Sequence, residues 1–141
     1  MRRALPDGYQ LDDDPGRIDR AAVHAYLGGE SYWAQGRSRA VMDELVASAE
    51  RVAGLYSPDG SQVGFARAVS DGHTVSYLAD VYVLEPHRGR GRGLELVRFT
   101  VDEGPLAETR WLLHTRDMFR LYAQLGFGKP SERIMERPRR S

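Results

Sequence analysis

Hydrophobic residues recur along this chain with the spacing of a helix face in four segments. Apolar side chains return there every three or four positions, which predicts one buried side for each helix. The predicted helices cover residues 15–27, 38–49, 94–104 and 117–126. Capping residues support three of the starts, because Asp14 precedes the first helix, Ser38 opens the second and Asp117 opens the fourth.

Between these segments, short runs rich in β-branched and aromatic residues predict strands. Residues 51–57 and 62–69 flank a Pro-Asp-Gly turn, so they predict a β-hairpin. The run at 74–84 alternates less cleanly and is predicted to be buried on both faces. Further strands are predicted at 8–11, 111–115 and 129–136.

The resulting order is β-α-α-β-β-β-α-β-α-β, with helices both before the strand meander and between the later strands. That order predicts an α+β fold in which helices pack on a mixed sheet. A length of 141 residues predicts a single domain, residues 1–141, large enough for a hydrophobic core. Residues 1–12 and 137–141 are predicted to be peripheral tails.

Charge and composition argue against several classes of protein. Twenty basic and twenty acidic residues cancel, so neither nucleic acid nor a membrane is predicted as a partner. The lack of cysteine excludes disulfides, thiolate metal sites and a cysteine nucleophile. The four histidines have no metal-ligand spacing, so no metal is predicted. No stretch approaches the roughly 18 apolar residues of a membrane span, which makes a cytoplasmic protein the expectation.

The segment Arg-Gly-Arg-Gly-Arg-Gly at residues 88–93 follows the long predicted strand and opens the third predicted helix. Glycines let backbone N–H groups approach an anion, and the start of the helix adds its positive dipole end. The segment therefore predicts a phosphorylated ligand, with a solvated turn as the alternative when the segment is taken alone. Its spacing differs from the G-x-G-x-x-G of dinucleotide-binding folds, and it lacks the lysine of a Walker loop.

The same residues resemble the signature of the GNAT (GCN5-related N-acetyltransferase) family. In that family a hydrophobic strand leads into Arg/Gln-x-x-Gly-x-Gly/Ala at the start of a helix, and residues 88–93 match every fixed position. Residues 121–127 resemble the family's Leu-Tyr-x-x-x-Gly-Phe segment. The resemblance covers nearly the whole chain and implies a mixed, mostly antiparallel central sheet with helices on both faces.

The resemblance also implies acetyl-CoA as co-substrate. Its diphosphate is expected on the N–H groups of the glycine segment, and its pantetheine arm beside the strand that precedes that segment. The N–H group of Val81 is expected to polarise the thioester carbonyl. The implied cofactor-binding residues are Val81, Tyr82, Val83, Arg88, Gly89, Arg90, Gly91, Arg92 and Gly93.

Besides Val81, two residues are candidates for catalysis. Tyr122 resembles the family's general acid, which protonates the departing thiolate, although this tyrosine also fits the apolar stripe of its helix and packing alone is the alternative. Asp80 lies mid-strand in apolar surroundings, where an unpaired carboxylate is costly. Its carboxylate is expected to meet either a substrate cation or a structural partner.

Residues 28–37 join the first two predicted helices, where members of the family place the acceptor. Tyr32 and Trp33 supply flat apolar surface with polar tips, either as a wall for the acceptor or as anchors of the loop on the core. Together with Arg37 and Asp80 they form the predicted substrate-binding set. His114, by contrast, is predicted to be a hydrogen-bonded histidine inside a sheet strand.

These implications predict an enzyme that transfers the acetyl group of acetyl-CoA directly to a primary amine of a small molecule or peptide, in a ternary complex. The lack of cysteine favours the direct route over an acetyl-enzyme. Two alternatives stay open, a non-catalytic acyl-CoA-binding module and a transferase for longer acyl-CoA donors. Family members are often dimers, which makes a homodimer an open prediction.

Overall fold

The computed structural model describes residues 1–140 and contains a six-stranded sheet. The strands are β1 (Arg2–Ala4), β2 (Gln10–Asp12), β3 (Arg51–Tyr56), β4 (Gln62–Ser70), β5 (Val75–Val83) and β6 (Arg110–Leu113). They lie side by side in sequence order. Neighbours from β1 to β5 are antiparallel, and β6 runs parallel to β5. The predicted α+β class with a mixed, mostly antiparallel sheet is confirmed.

Helices cover both faces of this sheet, as predicted. The α-helices of the described chain are α1 (Arg20–Ala25), α2 (Arg39–Ser48), α3 (Arg92–Val101) and α4 (Phe119–Ala123). On one face, α1 and α2 bury Val23 and Met42 against Phe65 of β4. On the other face, α3 buries Leu96 and Phe99. The sheet lies between the two apolar clusters. Their packing fixes the strand ends around which the candidate active site is built.

The first predicted helix is wrong in its extent, because it is divided into three pieces. Asp14 caps only a 3-10 turn, where its carboxylate accepts the N–H of Gly16 at 2.9 Å. Asp19 then caps α1 by accepting the N–H of Ala22 at 3.0 Å. A π-turn at Tyr26–Glu30 follows. Two aspartates that are both good N-caps stand five residues apart, so each starts its own short helix.

The first dozen residues are not a peripheral tail, because they form β1 and β2 of the sheet. Leu11 is fully buried in the core cluster beneath α3. Arg3 reaches across to that helix and to the turn after it, with ion pairs to Glu95 at 2.8 Å and to Glu103 at 2.9 Å. Pairing and burial together make this segment part of the fold.

The predicted final strand at residues 129–136 is absent, and the segment is irregular and mostly exposed. Pro130 has no N–H to donate to a neighbouring strand. Ile134 and Met135, the apolar residues of the segment, remain exposed. Pairing would therefore bury little apolar surface, which is the physical reason that the pattern failed here.

Candidate active site

The backbone between β5 and α3 presents a row of free N–H groups. Gly89 and Gly91 have φ angles of 85° and 75°, the left-handed region that glycine adopts without strain. Gly91 is also the N-cap of α3. Within residues 1–140, no backbone oxygen accepts a hydrogen bond from the N–H groups of residues 89–93. A Cβ added at either glycine would meet no atom within 4 Å, so open space borders this segment.

The three arginines of this segment have different surroundings. Arg88 donates from Nε to the Val83 carbonyl at 2.6 Å, so it fixes the segment to the end of β5. Arg92 donates from Nη1 to the His87 carbonyl at 3.2 Å, and its guanidinium lies 3.8 Å from the centre of the Tyr9 ring. Arg90 is exposed and has no ion pair or side-chain hydrogen bond within residues 1–140. Two arginines therefore brace the segment, and Arg90 is available to an anion.

Strand β5 separates from β6 along its second half. Their pairing ends where Leu78 lies opposite Leu113, and β6 itself ends there. The last five residues of β5 thus have no strand on that side within residues 1–140. Leu84 donates its N–H to Val63 of β4. Because backbone N–H and C=O groups point to alternate sides along a strand, the backbone groups of Val81 and Val83 point away from β4, into the gap between β5 and β6.

A β-bulge at Asp80 divides β5. The register with β4 shifts here, and Asp80 has φ of 55°, the one positive φ outside glycine in residues 1–140. Leu78 and Val83 both face the cluster beneath α3 although they are five residues apart, so the bulge adds one residue to the alternation. Burial alternates before the bulge, whereas Tyr82 and Val83 after it are both buried on opposite faces, so the predicted burial on both faces holds only for the end of β5.

The bulge turns the Asp80 carboxylate towards the loop between α1 and α2, and two donors from that loop and one from β4 bind it. Trp33 Nε1 donates to Oδ1 at 2.9 Å. Arg37 Nη1 and Arg67 Nε both donate to Oδ2 at 2.9 Å. Asp80 is only 6% exposed. Of the two outcomes expected for this carboxylate, the structure contains the structural partner.

Arg67 was not singled out by the sequence pattern. It lies in β4 opposite Ala79, next to the bulge, and is 8% exposed. One signal for it was present, because it is the charged residue within an otherwise apolar stretch of the hairpin. A charge at such a position indicates a buried partner.

An open cavity of about 610 Å³ lies beside Asp80, between the α1–α2 loop and the segment that follows β6. Tyr32 and Trp33 are half-exposed on its wall. The Tyr32 hydroxyl accepts the N–H of Arg116 at 3.2 Å, and the Arg116 guanidinium lies 3.8 Å from the centre of the Tyr32 ring. The two aromatic residues therefore line the cavity and also tie the loop to the far side. The lining of the cavity also includes Arg37, Arg67, Tyr77, Val81, His114, Asp117, Met118 and Tyr122.

Tyr122 lies on α4, where it lines the cavity and also packs against the core cluster beneath α3. Its ring meets that of Phe127 edge-on, with 5.9 Å between the ring centres. Burial, with a smaller contribution from Tyr32, raises the pKa of Tyr122 to about 12. Helix α4 begins at Phe119, later than predicted. Asp117 does not cap it, because the Met118 N–H donates to Thr115 Oγ1 at 3.0 Å and the N-cap residue, Met118, makes no side-chain capping hydrogen bond.

His114 was predicted to be a hydrogen-bonded histidine inside a sheet strand, and its predicted place in the strand is wrong. Strand β6 ends one residue earlier, and the His114 side chain is 67% exposed on the cavity wall. Its Nδ1 hydrogen-bonds to the Tyr77 hydroxyl at 2.6 Å, and its Nε2 contacts Glu136. Across residues 1–140, no group of three or more potential ligands is arranged to hold a metal ion. None of the helices described there has the length and apolarity to cross a bilayer.

Comparison with known proteins identifies the class to which this geometry belongs. The model of the acetyltransferase (GNAT) family matches residues 52–127, more than half of the chain. A Gibberella zeae protein described as a candidate acetyltransferase is 30% identical, over 84% of this chain and 78% of its own. The protein is therefore an acetyltransferase by class. The chain belongs to the GNAT family, whose members use acetyl-CoA.

Solved structures agree with this assignment. A candidate GNAT-family acetyltransferase from Xanthomonas campestris pv. campestris is 33% identical, with a TM-score of 0.84 and 92% of each chain covered. AAC(6')-Iy, solved with the bisubstrate analogue CoA-S-monomethyl-acetylneamine, has a TM-score of 0.60 over 93% of this chain and 98% of its own. At 18% identity, that second likeness concerns the fold alone.

Proposed function

We propose that this chain acts as one domain that transfers the acetyl group of acetyl-CoA directly to a primary amine of a small molecule or peptide. The observation that carries the proposal is the opening between β5 and β6. It runs from the cavity at residues 79–81 to the segment of free N–H groups that follows β5. An extended cofactor with a diphosphate at one end and a thioester at the other has the shape of this path.

The residues along the opening fit such a cofactor. The free N–H groups of residues 89–93 and the dipole of α3 suit a diphosphate, and Arg90 adds an unpaired cation. The Val81 carbonyl and the Val83 N–H suit the amides of the pantetheine arm. Tyr82 supports the strand from the opposite face, because its ring stacks on that of Tyr26 with 4.1 Å between centres. Acetyl-CoA supplies an acetyl group already activated as a thioester.

The chain's own groups then serve the bond changes of the transfer. The amine nitrogen attacks the thioester carbon, and the carbon–sulfur bond breaks. The Val81 N–H donates to the carbonyl oxygen as negative charge develops there. The Tyr122 hydroxyl gives its proton to the departing sulfur. Because burial raises the pKa of Tyr122 to about 12, this hydroxyl keeps its proton throughout the neutral pH range.

Asp80 has a positioning role in this proposal. Both of its oxygens already accept hydrogen bonds from Trp33, Arg37 and Arg67, so it is a poor acceptor for the proton of the amine. Instead it holds the α1–α2 loop against β5 and so shapes the cavity wall. The amine proton passes to water in the open cavity, and Tyr122 regains a proton from that water.

Release of free thiol tests the proposal directly. The protein is mixed with acetyl-CoA and a panel of primary amines, and the thiol is followed with a colorimetric reagent. We expect thiol release that depends on both the protein and one class of amine. Binding of acetyl-CoA by calorimetry with no turnover of any amine would instead indicate a non-catalytic acyl-CoA-binding module. A parallel series of longer acyl-CoA donors determines the preference for the acyl chain.

The substitution Tyr122→Phe tests the general acid. It removes the hydroxyl and keeps the ring that packs beside Phe127. We expect kcat to fall by about 10²- to 10⁴-fold, the usual range for general acid–base catalysis, with the affinity for acetyl-CoA unchanged. An unchanged kcat would make Tyr122 a packing residue only.

A further inference from the structure

The cavity contains more positive than negative charge next to Asp80. Two guanidinium groups, those of Arg37 and Arg67, share the single oxygen Oδ2 of one carboxylate. At the opposite rim, Arg116 and Asp117 lie 3.7 Å apart and balance each other. The ionised groups that line the cavity therefore leave one positive charge in surplus. His114, exposed at the wall, contacts the Glu136 carboxylate and adds no unpaired positive charge.

The two guanidinium groups that carry the surplus charge have hydrogen-bond donors without a partner. Arg67 uses Nε for Asp80, and neither of its Nη atoms has a hydrogen-bond partner within residues 1–140. This side chain is nine-tenths buried in the protein and nevertheless lines the cavity. Arg37 similarly uses Nη1 and leaves Nη2 without a partner in the described chain. A buried guanidinium is stabilised when its N–H groups meet an anion. The free Nη groups of Arg67 and Arg37 have no anion beside them in the described chain.

We propose that the acceptor amine carries an oxyanion, a carboxylate or a phosphate, which binds the free Nη groups of Arg67 and Arg37. Both groups present paired oxygens that match the planar fork of a guanidinium. This inference rests on the proposed function, because it names the class of amine that the same cavity accepts. It adds Arg67 to the residues that bind the acceptor.

The same charge also bears on the nucleophile. An amine attacks only in its neutral form, and nearby positive charge lowers the pKa of an ammonium group. A bound oxyanion cancels the one surplus charge of the wall, so this effect acts on amines that carry no oxyanion. The surplus charge disfavours polyamines and other polycations, for which the lining offers no carboxylate without a cationic partner.

Matched pairs of acceptors isolate the oxyanion. Amino acids are compared with their amides, and phosphoethanolamine with ethanolamine; spermidine represents the polycations. Rates are measured by thiol release at saturating acetyl-CoA, as kcat/KM for the amine. We expect the acid of at least one pair to exceed its neutral partner by about 10-fold or more, and spermidine to be the poorest acceptor. The preferred pair identifies the anion as carboxylate or phosphate, and equal rates within every pair would overturn the inference.

Three variants assign the preference to its residues. Arg67→Lys retains the charge and loses the fork, and Arg37→Gln removes the second donor. Arg39→Gln is the matched control, because Arg39 lies on the exposed side of α2 in an ion pair with Asp43. We expect the ratio of acid to amide kcat/KM to fall by about 10- to 100-fold in Arg67→Lys, to fall in Arg37→Gln, and to stay unchanged in Arg39→Gln. General damage to the fold lowers both rates and leaves the ratio unchanged, and an unchanged ratio in Arg67→Lys would contradict the inference.

Failure of this inference is distinguishable from failure of the proposed function. Thiol release with neutral amines alone would leave acetyl transfer intact and overturn the oxyanion site. If no amine were acetylated, calorimetry with the amino acids and their amides would test the site without turnover. Binding of an acid that is weaker in Arg67→Lys would support the site, and equal binding of acid and amide would overturn it.

Discussion

The substitution Asp80→Asn tests the interaction on which the shape of the cavity depends. Asp80 is almost fully buried, and its two oxygens accept three hydrogen bonds, two of them from guanidinium groups. The amide of asparagine has the same shape but keeps one oxygen and no charge. The bond from Trp33 to that oxygen survives, whereas the two arginines then face an N–H₂ group.

The expected loss of stability follows from these contacts. A hydrogen bond to a charged group contributes about 1.5–3 kcal/mol, and two are lost. Arg37 is partly exposed and regains water, so we expect the lower end, about 3 kcal/mol. Unfolding entropies near 2.1 cal/mol/K per residue give roughly 0.3 kcal/mol/K for a chain of 141 residues. The predicted fall in Tm is therefore about 10 °C.

Thermal and urea unfolding, followed by circular dichroism, measure this loss. The control is Asp43→Asn, which makes the same chemical change in the exposed pair with Arg39 and is expected to cost about 0.3–0.5 kcal/mol. The double variant Asp80→Asn/Arg67→Gln is expected to be less destabilised than the sum of its single variants, since the two side chains are in contact. A loss below about 1 kcal/mol in Asp80→Asn would refute the reasoning, because it would mean that the buried ion pairs contribute little.

Three further predictions concern the cofactor segment and the buried tyrosines. Gly91→Ala forces an alanine to φ of 75° and puts a methyl group where the diphosphate is expected, so the affinity for acetyl-CoA, measured by calorimetry, should fall. The control Gly60→Ala, at φ of 90° in the β3–β4 turn, should leave this affinity unchanged. Arg90→Gln should weaken acetyl-CoA binding and leave Tm unchanged, whereas Arg88→Gln should lower Tm because Arg88 holds the end of β5. Equal effects of the two variants on Tm would contradict the assignment of Arg90 to the cofactor and of Arg88 to the fold. Burial raises the pKa of Tyr56 and Tyr122 to about 12 and that of Tyr82 further, so their stabilising contribution is complete below pH 10 and is lost as pH rises towards 12. An absorbance titration at 295 nm should show tyrosines that ionise well above pH 10, and titration of all seven near pH 10 would contradict this.

Local signals predicted the fold well where one segment decided its own structure. Ser38 does cap α2, by accepting the N–H of Val41 at 3.2 Å, and the two strands around the Pro-Asp-Gly turn do form a hairpin. The glycine segment does open α3. In each of these places the side-chain chemistry and the backbone geometry belong to the same few residues.

The prediction failed where distant residues decide the structure. The bulge at Asp80 depends on Trp33, Arg37 and Arg67, which lie 47, 43 and 13 residues away in the chain. No local pattern encodes a strained φ that three distant donors stabilise. The strand expected at residues 129–136 failed for the complementary reason, because its own apolar residues, Ile134 and Met135, offer little surface to bury.

The most direct test of acetyl transfer is the stoichiometry of a single reaction. The protein, acetyl-CoA and the preferred amine are mixed, free thiol is measured, the N-acetylated amine is quantified by mass spectrometry, and the intact mass of the protein is recorded. We expect one thiol per acetylated amine and no acetylated protein when the amine is left out. Thiol release without acetylated amine, or a protein that gains an acetyl group and passes it on, would contradict direct transfer.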